Sequence, residues 1–381
     1  MKSNEYEEDA LSVKRNSRIT INHLAEQLGL TKGTVSKALN EYADIGENTK
    51  RRVKRKAAEM NYRPLTHAQA IRTGKTRSIG LVLQADVYDG QRPFLADFLA
   101  GVSQTASREN WTLTVATPAT ENEVLLTLRR LIDERKADGF ILPRTKVSDP
   151  RIKLLLAEDI PFVMFGRTKD QSGCAWYDVL GEDAIRRAVE RLSELGHQKI
   201  GFVNSDLKYN FAALRLQGFK EGIRKTGLNL SDELIFNGAM TGHAGRVATI
   251  NLLRMSSPPT AIVYATDAAA LGAYEAATEL KLKIGKEISV IAYDGLPEGA
   301  YVKPSLSTFK VDTAKAGARL TALLIERING TKAEELRETD SAVFQPGTSE
   351  GPPLLSSSEL AHQIKNINRN TMNSKNERIK I

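Results

Sequence analysis

Apolar residues near the start of the chain recur at helical spacing. In the segment 21–28 they stand at i, i+3, i+4 and i+7, so they are predicted to share one face of a short helix. Gly29 can adopt positive φ and end that helix. Thr31 is a good N-cap for a second helix, whose apolar seam contains Val35 and Leu39. Two short helices joined by a turn that contains glycine predict a helix-turn-helix.

The second helix presents short polar side chains and cations opposite its apolar seam. They are Lys32, Thr34, Ser36 and Lys37. Such a face can enter a DNA major groove and meet both phosphates and base edges. An ordinary pair of helices with a solvated face would show the same pattern, so this segment alone leaves both interpretations open.

A third helix is predicted by Val53, Ala57 and Met60, which stand at i, i+4 and i+7, and Pro64 is expected to end it. Almost every position from 50 to 56 is a cation. These cations are either a solvated helix face or contacts to DNA phosphates. In the second case they would set the affinity for DNA and its salt dependence, but not the choice of sequence.

From Ser78 onward, short apolar runs alternate with amphipathic stretches. Strands are predicted at 79–83, 111–116, 138–142, 161–165, 199–204, 261–265 and 289–293. The helices between them include Glu182–Leu195, Ala212–Lys225 and Asp267–Leu280. Continuous apolar strands separated by helices predict a doubly wound parallel sheet. This part spans roughly 270 residues, which is more than one typical domain, so two α/β lobes are expected.

In such sheets, ligands bind outside the carboxyl ends of the strands. Polar residues follow many of the predicted strands, namely Gln84, Asp86, Arg144, Gly166, Arg167, Asn204, Asp206, Thr266, Asp267 and Asp294. Carboxylates, guanidinium groups and amides suit a polyhydroxylated ligand, because each can bond two hydroxyls at once. Any one of these residues, taken alone, is better explained as a solvated loop residue, but as a set they favour a pocket.

Charge is unevenly distributed along the 381 residues. The net charge is +8, yet the segment from Lys14 to Arg77 alone contains 15 Lys and Arg against five Asp and Glu. A basic terminal segment on a roughly neutral body is typical of a nucleic-acid-binding module. The charge distribution therefore favours DNA binding by the first helices.

Composition and motifs exclude several classes of protein. The chain is 41% hydrophobic and 26% charged, without an apolar run of 18 residues, so no transmembrane helix is expected. The acidic first ten residues are not a secretory signal, and the single cysteine, Cys174, fits a reducing cytoplasm. The five histidines lack metal-ligand spacing, and the Gly-Lys-Thr at 74–76 lacks the glycine at position 69 that a phosphate-binding loop needs. We expect no enzymatic activity, no metal and no cofactor.

In their order, these motifs strongly resemble the LacI/GalR (lac-repressor) family of bacterial transcription regulators over about residues 18–353. In the headpiece, the matching stretches are I-T-I-N-H-L-A, G-L-T-K-G-T-V-S-K-A-L-N, T-K-R-R-V, N-Y-R-P and R-T-G-K-T-R-S-I-G-L-V. In the body they are P-F-L-A-D-F-L-A-G, A-D-G-F-I-L, A-T-D-A-A-A-L-G, S-V-I-A-Y-D-G and L-S-T-F-K-V-D. The stretches F-G-R-T and V-F-Q-P-G-T-S-E-G-P-P further resemble α-glucoside-type members.

The resemblance implies an all-α helix-turn-helix headpiece, a hinge helix and an α/β effector domain, similar to periplasmic binding proteins, with two doubly wound lobes. The expected divisions are a disordered arm (1–17), the helix-turn-helix domain (18–63), a hinge helix and linker (64–77), a two-lobed effector and dimerisation domain (78–353) and a disordered tail (354–381). Members of the family dimerise on palindromic operators, and a small effector in the interlobe cleft changes their operator affinity.

The resemblance also implies site residues by position. Base-reading positions are occupied by Lys32, Gly33 and Lys37, and positions at or near phosphates by Thr20, Thr31, Thr34, Ser36 and Asn40. Ile71 takes the place of the hinge leucine that wedges into the minor groove. Effector-pocket positions are occupied by Phe94, Arg167, Asp178, Arg215, Thr266, Asp267 and Asp294, with Phe309 nearby. Of these, Arg215 and Asp294 are expected to be the polar anchors of the ligand.

Four residues depart from the family pattern. Gly33 has no side chain with which to read a base, so the neighbouring lysines are expected to do more. Ile71 replaces leucine, and a β-branched wedge is stiffer. Thr266 replaces asparagine, which removes one amide from the cleft. Gly46 replaces a serine cap and should weaken the start of the third helix by a few tenths of a kcal/mol.

These observations predict a bacterial transcriptional repressor in the cytoplasm, at the nucleoid. We expect it to bind a pseudo-palindromic DNA operator as a homodimer, with pairing into tetramers left open, to respond to a sugar-like effector and to have no membrane partner. The alternative is a periplasmic-type sugar-binding receptor, which shares the α/β lobes but needs a signal peptide and has no basic headpiece. A sugar kinase would need a phosphate-binding loop.

Overall fold

The computed structural model describes residues 19–62, 74–85 and 92–378, without the side chains of residues 92–94 and 368–378. The predicted arm, most of the predicted hinge helix and Ile71 lie outside the described residues. The chain divides into two compact units, Met1–Thr76 and Arg77–Ile381. Each unit has its own hydrophobic core.

The first unit contains three helices, α1 (Ile21–Leu28), α2 (Lys32–Leu39) and α3 (Glu47–Glu59). Thr20 caps α1, and Gly29 ends it in the left-handed conformation at φ 63°. The Thr31 hydroxyl accepts the N–H of Thr34 at 3.1 Å and so caps α2. The shared core consists of Leu24, Ala25, Leu28, Val35, Ala38, Val53 and Ala57. The predicted helix-turn-helix is confirmed.

The third helix starts without a side-chain cap. Gly46 occupies the N-cap position, and it contributes no side-chain hydrogen bond to the first turn of α3. Glu47, in that first turn, places a negative charge near the positive end of the helix dipole and compensates in part. The structure thus agrees with the weak helix start expected from the glycine.

The second unit contains two six-stranded sheets. The first has the order β11-β5-β4-β3-β1-β2 with all neighbours parallel, and its strands are β1 (Ser78–Val82), β2 (Thr112–Ala116), β3 (Gly139–Leu142), β4 (Phe162–Phe165), β5 (Ala175–Val179) and β11 (Arg337–Asp340). The second has the order β12-β10-β9-β8-β6-β7, and its strands are β6 (Ile200–Val203), β7 (Ile235–Phe236), β8 (Ala261–Tyr264), β9 (Ser289–Asp294), β10 (Ser307–Lys310) and β12 (Val343–Gln345). Only β12 runs antiparallel, against β10, among these pairings.

Helices connect and cover the strands of the second unit. They are α4 (Arg92–Arg108), α5 (Glu121–Asp133), α6 (Pro150–Ala157), α7 (Gly181–Glu194), α8 (Asn210–Thr226), α9 (Gly242–Leu253), α10 (Asp267–Glu279), α11 (Thr313–Ile328) and α12 (Ser357–Arg378). Gly218 lets α8 approach the backbone of α7, because a Cβ at this position would overlap the carbonyl of Glu182. No helix in the described part of the chain is long and apolar enough to cross a membrane.

The two lobes are joined by three crossings of the chain within residues 92–378, after β5, after β10 and between β11 and β12. The predicted α/β class with two lobes is confirmed. Seven strands coincide with predicted ones to within one or two residues, whereas β5, β7, β10, β11 and β12 were not predicted. Of these, β7 has only two residues and the R-E-T-D of β11 is rich in polar residues. In contrast, β5 (A-W-Y-D-V) is buried and has five residues, as β1 does.

The disorder predicted for residues 354–381 is wrong for the part of the tail that the structure describes. Residues from Ser357 to Arg378 form α12. Leu360, Ala361 and Ile364 are buried on this helix, and Leu360 and Ile364 belong to the core of the second lobe. The prediction of disorder was based on the overall polar composition of the tail. Three apolar residues of this segment share one helical face, and their burial stabilises the helix.

Candidate effector cavity and DNA-binding surface

A cavity that is partly open to solvent lies between the two lobes of the second unit. Its walls come from the carboxyl ends of β3, β4, β5, β9 and β10 and from the first turns of α7 and α8. The lining residues are Pro143, Arg144, Thr145, Phe165, Gly166, Arg167, Asp178, Val179, Gly181, Glu182, Phe211, Leu214, Arg215, Tyr293, Asp294 and Val311. The cavity therefore lies where parallel sheets place ligands.

Arg215 is held at the cavity by two aromatic rings and a backbone hydrogen bond. Its guanidinium carbon lies 4.7 Å from the ring centre of Phe211 and 4.0 Å from that of Tyr293. One terminal nitrogen donates to the carbonyl of Ala265 at 2.6 Å. Gly181 lies against the guanidinium, because a Cβ there would be 3.0 Å from Arg215 Nε. This packing fixes the side chain, yet Nε is buried and has no hydrogen-bond partner among the residues described.

Asp294 ends β9 beside Arg215. Its φ is 129°, a backbone conformation that few residues other than glycine adopt. Its side chain is buried, with Oδ1 3.9 Å from a terminal nitrogen of Arg215 and Oδ2 without a partner in the described structure. Burial raises the pKa of Asp294 to about 7, although the positive charge of Arg215 opposes the rise. The carboxylate is thus positioned at the cavity but only weakly paired.

Arg167 forms a second charged group at the cavity. Its Nε donates to Asp178 Oδ2 at 2.5 Å, and a terminal nitrogen donates to Glu182 Oε1. Asn210 donates to the backbone carbonyl of Arg167 at 2.8 Å. Burial raises the pKa of Asp178 to about 6, against the opposing effect of Arg167. Of the predicted effector residues, Arg167, Asp178, Arg215 and Asp294 are therefore brought together.

Three predicted effector residues lie behind the cavity wall in the described structure. Thr266 caps α10 by accepting the N–H of Ala269 at 3.3 Å. Asp267 accepts the N–H groups of Gly295 at 2.9 Å and Leu296 at 2.7 Å and the hydroxyl of Thr308 at 2.6 Å. Phe309 packs on Phe344, with ring centres 5.1 Å apart. These side chains bond to or pack on neighbouring elements and are not part of the cavity lining. Their contact with an effector stays a prediction.

The remaining predicted residue, Phe94, belongs to α4, but its side chain is outside the described structure. Conversely, Glu182, Phe211 and Tyr293 line the cavity and were not predicted. Tyr293 precedes Asp294 at the end of a strand, and Phe211 stands one helical turn before Arg215. Their positions next to predicted site residues could therefore have identified them as lining residues. Glu182 carried no comparable signal.

The predicted DNA-contacting residues lie at the surface of the first unit. Thr20, Thr31, Lys32, Gly33 and Lys37 are exposed, and Thr34, Ser36 and Asn40 are half-buried. The hydroxyls of Thr31 and Thr34 are 2.9 Å apart, and the Asn40 amide donates to the carbonyl of Ser36 at 2.7 Å. Lys37 forms an exposed ion pair with Asp44 at 2.5 Å. One face of α2 is therefore polar and accessible, while its contact with DNA stays a prediction.

The cations of α3 do not form a uniform stripe. Lys50 is buried and pairs with Glu47 at 2.8 Å. It is therefore not available for the phosphate contact that the sequence suggested. Arg52 donates to the carbonyl of Leu28 at the end of α1, and Lys54 pairs with Glu41. Arg51, Arg52, Lys54 and Arg55 are exposed, and Arg55 Nε lies 3.8 Å from Glu59 Oε1. Apart from the buried Lys50, contact of these cations with DNA phosphates stays a prediction.

A basic helix-turn-helix unit followed by a two-lobed α/β unit with a cavity between its lobes defines a DNA-binding regulator with an effector-type domain. Comparison with known proteins agrees. A family model described as a periplasmic binding protein-like domain matches residues 189–349, and one described as a winged helix-turn-helix DNA-binding domain matches residues 12–46.

Similar proteins are transcriptional regulators. The HTH-type transcriptional regulator AglR of Rhizobium meliloti (strain 1021) is 34% identical over 313 residues, which cover 81% of this chain and 87% of that protein. The HTH-type transcriptional regulator RafR of Escherichia coli is 29% identical over 338 residues, with 88% and 99% covered. The crystal structure of a LacI-family regulatory protein from Chloroflexus aggregans is 30% identical, has a TM-score of 0.65 and covers 72% of this chain and 99% of its own.

The chain belongs to the LacI family of transcriptional regulators. Like these relatives, it is a DNA-binding regulator of transcription and not an enzyme. The predicted family and class are confirmed, and the alternative of a periplasmic-type sugar-binding receptor is set aside because a helix-turn-helix model matches the chain and its relatives regulate transcription.

Proposed function

We propose that this protein is a repressor whose operator affinity is set by an uncharged, polyhydroxylated effector of the carbohydrate class. The proposal rests on Asp294 Oδ2 and Arg215 Nε, which are both buried and both lack a partner among the described residues. A buried polar atom without a hydrogen bond costs about 1–3 kcal/mol. A ligand that offers a donor and an acceptor together removes both penalties, and a sugar hydroxyl is such a group.

The rest of the cavity suits the same class of ligand. Apolar side chains, among them Phe165, Leu214 and Val311, can pack against the C–H surface of a sugar ring. Guanidinium groups and carboxylates line it in similar numbers, so the cavity has little net charge to attract a charged ligand.

For DNA, we propose that α2 lies in the major groove, where Lys32 and Lys37 read base edges. Thr20, Thr31, Thr34, Ser36 and Asn40 would contact or position phosphates, and Gly33 would allow close approach of the backbone. The exposed pair of Lys37 with Asp44 is compatible with this role, since exposed ion pairs stabilise by only about 0–1 kcal/mol and are readily exchanged for DNA. Ile71 at the operator centre is proposed from the family resemblance alone.

We further propose that the protein binds a pseudo-palindromic operator as a homodimer. The two headpieces of a two-fold symmetric dimer recognise two half-sites related by the same symmetry. Action on bacterial DNA implies a cytoplasmic, nucleoid-associated location. The effector would shift operator affinity through its different affinities for two arrangements of the lobes, with a coupling of about 1–3 kcal/mol.

The cavity assignment is tested with Arg215→Ala and with Arg224→Ala, a matched control that removes an exposed arginine from the same helix. Thermal-shift screening with cellobiose, maltose, sucrose and raffinose is expected to find a sugar that stabilises the wild type and Arg224→Ala but not Arg215→Ala. Unchanged affinity of Arg215→Ala by calorimetry would remove Arg215 from the site.

The DNA-binding assignment is tested by selecting genomic fragments with the full-length protein. We expect fragments that bind more tightly than scrambled competitor DNA, with an affinity that changes when the same sugar is added. Binding that does not distinguish genomic from scrambled DNA, with and without every sugar, would contradict the proposal.

A further inference from the structure

Arg167 connects the two lobes through its side chain and through its backbone. Its guanidinium binds Asp178 Oδ2 within the first lobe, at 2.5 Å, and Glu182 Oε1 in the first turn of α7. Helix α7 packs on α8 and on strands of the second lobe. Asn210, at the start of α8, adds the hydrogen bond of 2.8 Å to the Arg167 carbonyl. Glu182 thus reaches from one lobe to a cation of the other, and both residues line the cavity.

Only one oxygen of the Glu182 carboxylate is used in these contacts. Oε2 is buried and accepts no hydrogen bond within the part of the chain that the structure describes. An anionic oxygen in this situation is unfavourable until a donor reaches it. Asp294 has the same property at the same cavity, since its side chain is 6% exposed and its Oδ2 also lacks a donor. Two carboxylate oxygens therefore lack donors in one ligand-sized space.

We propose that Glu182 is a further effector-binding residue that also determines specificity. Its Oε2 accepts a hydroxyl of the effector while its Oε1 retains Arg167, so one carboxylate holds the ligand and the ion pair between the lobes. This inference rests on the carbohydrate effector proposed above. It adds a consequence for selectivity: an anionic group of the ligand placed at Glu182 Oε2 would meet a like charge in a desolvated site and is rejected there.

Asp183 offers a matched control one residue further along α7. Its carboxylate pairs with Arg186 and lies 3.8 Å from a terminal nitrogen of Arg187, both on the same helix, and it is not part of the cavity lining. Glu182→Gln and Asp183→Asn each remove one negative charge from the first turn of α7. Effects through the helix dipole or the net charge are therefore similar in the two variants, and only Glu182→Gln changes the cavity.

The experiment uses the full-length protein with cellobiose, maltose, sucrose, raffinose and glucose 6-phosphate. The sugar that gives the largest thermal shift of the wild type is taken to calorimetry with each variant. We expect Glu182→Gln to bind it roughly 10- to 100-fold more weakly and Asp183→Asn to stay within about twofold, because only the first loses a hydrogen bond to a charged group. The melting temperatures without ligand should be alike, and glucose 6-phosphate should not stabilise the wild type.

Three results would overturn the assignment of Glu182: unchanged affinity in Glu182→Gln, an equal loss in Asp183→Asn, or tighter binding of glucose 6-phosphate than of every uncharged sugar. If Glu182→Gln does not fold, Glu182→Asp replaces it in the binding measurement. Its shorter side chain keeps the negative charge but moves the carboxylate away from the ligand, so weaker binding is again expected. Failure of all uncharged sugars to bind the wild type would instead overturn the proposed effector class, and the role of Glu182 with it.

Discussion

Replacing Asp294 with asparagine tests whether an unpaired carboxylate is held at the cavity at the expense of stability. The substitution keeps the shape of the side chain and removes its charge. Burial raises the pKa of Asp294 from 3.8 to about 7, against the opposing effect of Arg215. Because the pKa is higher in the folded than in the unfolded state, this group contributes stability at low pH that is lost as the pH rises toward 7.

The magnitude follows from the two pKa values. The difference between 3.8 and about 7 corresponds to about 4 kcal/mol, which is lost in full above pH 7. At about pH 5 the unfolded state has already released its proton while the folded state retains it, so roughly 2 kcal/mol is lost there. Asparagine does not titrate, so Asp294→Asn should gain about 2–3 kcal/mol relative to the wild type between about pH 5 and pH 8.

Urea unfolding at the two pH values measures this gain. Both tryptophans, Trp111 and Trp176, belong to the second unit, so their fluorescence reports on the effector domain in the full-length protein. Asp133→Asn removes an exposed carboxylate at the end of α5 and serves as the control, with a pH dependence like that of the wild type. If the stability of Asp294→Asn relative to the wild type were the same at both pH values, the burial argument would be refuted.

Three further predictions use the same structure. Asp267→Ala leaves the buried N–H groups of Gly295 and Leu296 without their acceptor and should cost about 2–4 kcal/mol in the same urea assay, whereas a loss under about 0.5 kcal/mol would contradict its supporting role. Gly33 lies inside α2 with the nearest atom 3.8 Å from an added Cβ, so Gly33→Ala should stabilise the headpiece by about 0.5–1 kcal/mol. Slower hydrogen exchange of the headpiece amides in the full-length protein would show this, and unchanged rates would speak against it. Gly46→Ser should add a few tenths of a kcal/mol by capping α3, seen in the same exchange experiment.

Local patterns along the chain were sufficient for the headpiece and for much of the sheets. In α1 to α3 the apolar spacing, the threonine caps and Gly29 all lie within a few residues of one another, and the structure follows them. The rule that ligands bind at strand ends indicated Arg144, Gly166, Arg167 and Asp294, and all four line the cavity. Such features depend on the residue type and its immediate neighbours, which a single sequence contains.

The partner of each polar side chain was decided only by the tertiary structure. Asp267 and Asp294 both lie at strand ends, yet Asp267 accepts hydrogen bonds from the turn after β9, whereas Asp294 Oδ2 has no partner at the cavity among the described residues. Likewise, Lys50 is buried while Arg51 beside it is exposed. The ion pair of Arg167 with Glu182 exists because the chain crosses between the lobes after β5. Hydrogen bonds and ion pairs act over a few ångströms in space, and separation along the chain does not determine that distance.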